Sequence, residues 1–160
     1  MKRAEATGFT LVEILVVVIL LGILAAIVLP QVGNAVNISR ESNLRENLAK
    51  IRMQIEVYEN EHGGLPDGEQ FVEQMTKYTD FHGNVSDTPD DEHRFGPYLE
   101  QMPANPVTGS REVRVSGDGS EYFPPGDADG GWWYNEVTGR FYADLTDEHV
   151  TAEGEPYNRF

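Results

Sequence analysis

The sequence predicts an α+β protein in which one long N-terminal α-helix packs on a small antiparallel β-sheet head. Three patterns carry this expectation. From Ile14 to Leu29 no charged or strongly polar residue interrupts an apolar run that opens at Phe9. Further along, Leu44, Leu48, Ile51, Ile55 and Tyr58 recur at spacings of 4, 3, 4 and 3, the period of one helix face. Near the end, Trp132 to Asn135 and Arg140 to Ala143 flank Glu136-Val137-Thr138-Gly139, as two strands flank a hairpin turn.

The 21 residues from Phe9 to Leu29, at about 1.5 Å each, match the roughly 30 Å hydrocarbon core of a bilayer. Lys2 and Arg3 precede them, which places the N-terminus in the cytoplasm and the remainder across the membrane. Pro30 and Gln31 follow the run where a secretory signal would offer a small-x-small cleavage site, so the apolar segment is expected to stay with the mature chain. Within it stands one acid, Glu13. Unpaired in lipid, it would cost on the order of 2.5–3.5 kcal/mol. Two readings stay open: Thr10-Leu11-Val12-Glu13 is a capping box at the helix start, or the carboxylate waits for an opposite charge on another molecule.

These residues carry a family resemblance. The stretch "KRAEATGFTLVEILVVVILLGILAAIVLP" resembles the class III signal of type IV pilins and type II secretion pseudopilins: a basic leader, Gly, Phe-Thr-Leu-x-Glu, then an apolar helix. The resemblance implies cleavage by a prepilin peptidase between Gly8 and Phe9, N-methylation of Phe9, and pairing of Glu13 with the N-terminal ammonium of a neighbouring subunit. It implies the segments 1–8 as leader, 9–30 as transmembrane and filament-core helix, 31–62 as the amphipathic half, and 63–160 as a periplasmic head. The implied fold is pilin-like, anchored by a single pass in a bacterial inner membrane.

Beyond Pro30 the helix continues toward Glu61, and the whole, about 75 Å long, is expected to bend or break at Pro30 and to loosen around Gly33. Arg45, Glu46, Lys50, Arg52 and Glu56 occupy its polar face. His62-Gly63-Gly64-Leu65-Pro66 stops it. Glu69 to Tyr78 reads as a second helix with Phe71, Val72, Met75 and Tyr78 on one side. Next, "DFHGNVSDTPDDEHRFG" reads as an acidic loop, and residues 96–109 as an irregular crossing. Glu112 to Ser116 reads as a strand with Val113 and Val115 inward, and residues 146–160 as a polar, mobile tail.

The order of head features is similar to that of the major, G-type pseudopilins, and this similarity implies a calcium ion in an acidic loop. Here Asp118, Asp127 and Asp129 would be its ligands, since calcium takes several carboxylate and carbonyl oxygens. The same residues also make a solvated acidic turn, and no cofactor is required by the reading. Asp90-Asp91-Glu92-His93 reads as solvated loop.

Residues 60–160 hold 21 Asp and Glu against 6 Lys and Arg, a surface that repels nucleic acid. The chain has no cysteine, and His62, His82, His93 and His149 have no metalloprotease spacing, so no catalytic arrangement emerges. The function implied is a structural one, a homo-oligomeric helical filament built with minor pseudopilins and an inner-membrane assembly platform. Two alternatives stand beside it: a type IV pilin for adhesion, motility or DNA uptake, and a tethered binding module that never polymerises and exposes Trp132 and Trp133 as a ligand platform.

Overall fold

The computed structural model describes residues 10–119, 126, 129–151 and 153–160, with side chains omitted at 27–34. The chain divides into two compact units, Met1–Ser39 and Arg40–Phe160.

In the first unit, α1 (Leu11–His62) begins at the capping box anticipated above. The Thr10 amide and hydroxyl each donate to Glu13 Oε2 at 2.9 Å, and the Glu13 amide donates to Thr10 Oγ1 at 3.2 Å. These bonds satisfy backbone groups that the first helical turn leaves orphaned. The helical backbone continues through Pro30 and Gly33, so the break considered at Pro30 is absent.

In the second unit the 4-3-4-3 stripe forms the floor of the core. Leu44, Leu48, Ile51, Ile55 and Tyr58 are all buried and join Phe71, Met75, Trp132, Tyr134, Phe141 and Leu145. Each such aliphatic side chain contributes about 1.5–3 kcal/mol on leaving water. α1 ends where Gly63, with φ of 72°, donates its amide to Glu59 O at 2.8 Å. A left-handed residue at this position suits glycine.

Helix α2 (Phe71–Thr76) is shorter than expected. Phe71 and Met75 are buried, but Val72 is exposed and Gln74 takes the inward place. Gln74 is satisfied there: its Oε1 accepts from the Asp67 amide at 2.8 Å and its Nε2 donates to Gly83 O at 3.0 Å.

The acidic loop contains a ladder the sequence reading missed. β1 (Tyr78–Thr79) pairs antiparallel with β2 (Val85–Ser86), and Thr79 also bridges to Phe95. Asp80 closes the turn between them, its Oδ1 accepting from the His82 and Asn84 amides at 2.8 and 2.9 Å. Its Oδ2 accepts from Asn84 Nδ2 at 2.7 Å.

The second sheet is mixed, adding one parallel pairing to the antiparallel ones of the α+β head expected above. β3 (Val113–Ser116) runs parallel to β4 (Trp132–Asn135), which pairs antiparallel with β5 (Phe141–Ala143). Val113 packs against the core while Val115 is 37% exposed, so the expected inward pair is only half realised. All of β4 is buried, consistent with a continuous apolar run covered on both faces. The β4–β5 turn is the one anticipated: Asn135 Oδ1 accepts from the Val137 and Thr138 amides at 3.0 Å each, and Gly139 sits at φ 70°.

The tail is not the mobile segment expected. Val150 bridges to Pro156, a short 3-10 turn η1 (Tyr157–Arg159) follows, and Thr151, Tyr157 and Asn158 are buried. Phe160 lies under the Arg45 guanidinium at 3.5 Å, and its terminal oxygen accepts from Arg52 Nη2. Sequence polarity concealed this, because Tyr157 and Phe160, which pack edge to face, are the only aromatic residues of the tail.

Candidate functional site

The first candidate is the N-terminal part of α1. Every large apolar side chain described there, including Leu11, Ile14, Leu15, Val18 and Leu21, is exposed. Nothing lies within 4 Å of the position a side chain would take at Gly22, so the helix is open to close approach there. Among the described residues no helix is long and apolar enough to cross a membrane. The sequence carries the apolar run on past residue 26 as Ile27-Val28-Leu29.

Glu13 sits at the start of this surface. Its Oε2 takes both Thr10 donors, and its Oε1 has no partner among the described residues. The local cap and an intermolecular bond therefore do not compete for one oxygen. Gly8 and Phe9, the expected cleavage and methylation positions, lie outside the described residues, and Pro30 and Gly33 lie in α1 where only the backbone is described.

The calcium expectation finds only part of its residues. Asp127 lies outside the described residues. Asp118 Oδ1 accepts from Ser116 Oγ at 2.9 Å, and Asp129 lines a cavity of about 370 Å³ with Glu112 and Asp144. Asp144 is buried and ion-paired to Arg114, which also lines that cavity. Among the described residues no group of three or more acids or histidines is placed to hold a metal ion.

The histidines are absorbed by structure. His62 stacks on Tyr58 at 3.8 Å and hydrogen-bonds Tyr58 O and Thr79 Oγ1, both at 3.0 Å. His93 Nδ1 contacts Asp90 Oδ1 at 2.9 Å, and His149 Nδ1 contacts Thr146 Oγ1 at 3.0 Å. Burial, with Asp67 and Asp80 adding negative charge, pushes the Tyr58 phenol up to about 12, so it stays a neutral core group. Trp132 and Trp133 are 0% and 3% exposed. That removes the tryptophan platform on which the tethered-module alternative depended.

Comparison with known proteins bears on the same surface. The pattern of the Prokaryotic N-terminal methylation motif matches residues 4–29. The chain is 31% identical over 147 residues to the type II secretion system core protein G of Pseudomonas aeruginosa, covering 84% of this chain and all of that one. The chain belongs to the type II secretion system core protein G family. It is also 30% identical over 128 residues to the core protein G of Vibrio cholerae, covering 79% of this chain and 76% of that one. With the Klebsiella michiganensis core protein G the identity is 25%, over 83% of this chain and 96% of that one. No solved structure gives a significant match.

Proposed function

We propose that this chain is the repeating structural subunit of a periplasmic pseudopilus that drives type II protein secretion. It enters the inner membrane with its N-terminus cytoplasmic, is cleaved after Gly8, is methylated on Phe9, and polymerises through the first half of α1. The observation that carries this reading is the apolar helix surface, bare in one copy and headed by a Glu13 whose Oε1 is unengaged. In a filament that surface is buried against other copies, and Glu13 accepts from the ammonium of a neighbouring Phe9, a charge pairing that a water-poor core requires. Pro30 and Gly33 give α1 room to adjust its curvature as subunits leave the bilayer. The prepilin peptidase, minor pseudopilins and an inner-membrane platform are the partners this reading requires. No catalytic step is assigned to the chain itself. A calcium ion held through Asp118, Asp127 and Asp129 would pin the 117–131 connection, and its chemistry would be structural.

The test is complementation of a host strain lacking this chain. Wild type restores secretion and begins at methylated Phe9 by mass spectrometry, while Gly8→Val accumulates uncleaved and restores none. Normal secretion without the chain, together with loss of surface pili or motility, would assign it to the type IV pilins instead.

A further inference from the structure

Within the second unit, α1 carries another apolar stripe, turned away from the core. Successive helical residues lie about 100° apart around the axis. Glu46, Ala49, Met53 and Val57 therefore share an arc of about 80°, centred about 180° from the buried face of Leu44, Leu48, Ile51, Ile55 and Tyr58. Met53 is 55% exposed and Val57 37%, and Ala49, one turn before Met53, presents only an exposed methyl group. Aligned at a spacing of 4, these residues form a strip, unlike the scattered single apolar residues that any surface shows. Glu46 and Lys50 flank it, both exposed. Their spacing permits a bond to each other, yet neither side chain makes an ion pair or hydrogen bond among the described residues.

A groove of matching character lies on the head. Val72 and Thr76 of α2, with Tyr78, Pro97 and Met102, line a cavity of about 610 Å³. Val72 is 38% exposed, an apolar side chain of α2 that the core does not use. Four charged residues also line the cavity, and two of them satisfy each other, Lys77 Nζ lying 3.0 Å from Asp87 Oδ1. The other two, Glu100 and Arg111, are exposed, and their side chains make no ion pair or hydrogen bond among the described residues. Stripe and groove thus each combine an apolar centre with one unpaired acid and one unpaired base.

That match selects the occupant. An anionic lipid surface would meet Glu46 and Glu100 with like charge, whereas each patch supplies the opposite charges that the other lacks. The two patches share no residue. A contact between different patches of one chain is head-to-tail, the kind that propagates a helical filament instead of closing a dimer.

We propose that the Glu46–Val57 stripe of α1 docks in the Val72–Met102 groove of a second copy of this chain, with Met53 and Val57 filling the groove and Glu46 pairing with Arg111. The inference rests on the reading of the chain as a polymerising subunit. The apolar fill supplies affinity and the charge pair sets the register between heads.

The test is the yield of sheared filaments from the full-length chain in cells carrying the prepilin peptidase. Glu46→Arg and Arg111→Glu are each expected to cut the yield about tenfold through like-charge contact. Combining them is expected to restore it to within about twofold. Processed subunit should accumulate in each single variant, with the urea midpoint of the head unchanged in detergent, because both side chains are exposed and unpaired. The chain has no cysteine, so Met53→Cys/Val72→Cys reports the contact without altering charge. After oxidation its filaments are expected to give a ladder of disulfide-linked oligomers that neither single variant gives. Absence of rescue or of the ladder overturns the contact. So does a full filament yield from Met53→Asp whose detergent-purified chain has lost binding to phosphatidylglycerol vesicles, which would give the stripe to lipid. If the wild type itself makes no filament, the reading of the chain as a polymerising subunit has failed along with the contact.

Discussion

In the N-terminal unit, Leu11, Ile14, Leu15 and Val18 of α1 are each more than half exposed, whereas in the C-terminal unit Leu44, Leu48, Ile51 and Ile55 of the same helix are 3% exposed or less. Hydrophobicity alone does not distinguish the two sets. What differs is the partner: the second set meets Trp132, Tyr134 and Phe141, and the first is left exposed within its own unit among the described residues. Burial of the first set has to come from lipid or from other copies.

That contrast breaks if core and anchor substitutions act alike. Trp132→Ala is expected to cost about 3–5 kcal/mol of head stability, read by urea denaturation of the full chain in detergent. Leu20→Ala should leave that midpoint within about 0.5 kcal/mol, and an equal loss would mean the two halves share one core. Arg52→Gln removes a charged donor from Phe141 O and Phe160 O, for an expected loss of about 1.5–3 kcal/mol in the same assay. Gly139→Ala places a Cβ at φ 70° with Leu65 Cδ2 2.8 Å away. Its expected cost is about 1–2 kcal/mol.

The smallest effect is one of pH. Asp80 is held below the ordinary carboxylate range, chiefly by the Asn84 side chain, with the Asn84 and His82 amides adding to it. A depressed folded pKa stabilises above the unfolded value near 4 and loses that contribution as pH falls through the folded value. Asp80→Asn should therefore lower the urea midpoint at pH 7 and narrow the difference from wild type at pH 3. A gap that widens on acidification would contradict the assignment.

Much of this architecture was legible because it is periodic. The 4-3-4-3 stripe maps residue by residue onto the buried face of α1, and Glu136 to Gly139 fall in the turn between β4 and β5. The strand Val113–Ser116 was legible as a strand but not as the parallel neighbour of β4. Pairing direction is set by the connection, and no local alternation encodes it. The β1–β2 ladder escaped because two-residue strands have no period, and its organiser, Asp80, is the kind of side chain that also marks an open loop. Of the functional surface, the apolar helix and Glu13 could be read directly. The packing of the tail on the head could not, since Arg52, Phe141 and Phe160 are far apart in sequence and come together only in the fold.

The central claim is that the bare half of α1 completes its burial in other copies, with Glu13 setting the contact. The direct measurement is the yield of sheared filaments from wild type and Glu13→Ala, both confirmed by mass to begin at methylated Phe9. The account predicts abundant wild-type filaments and, from Glu13→Ala, processed subunit that stays in the membrane unassembled. Equal filament yield from the two would reduce Glu13 to the capping partner of Thr10 and contradict the account.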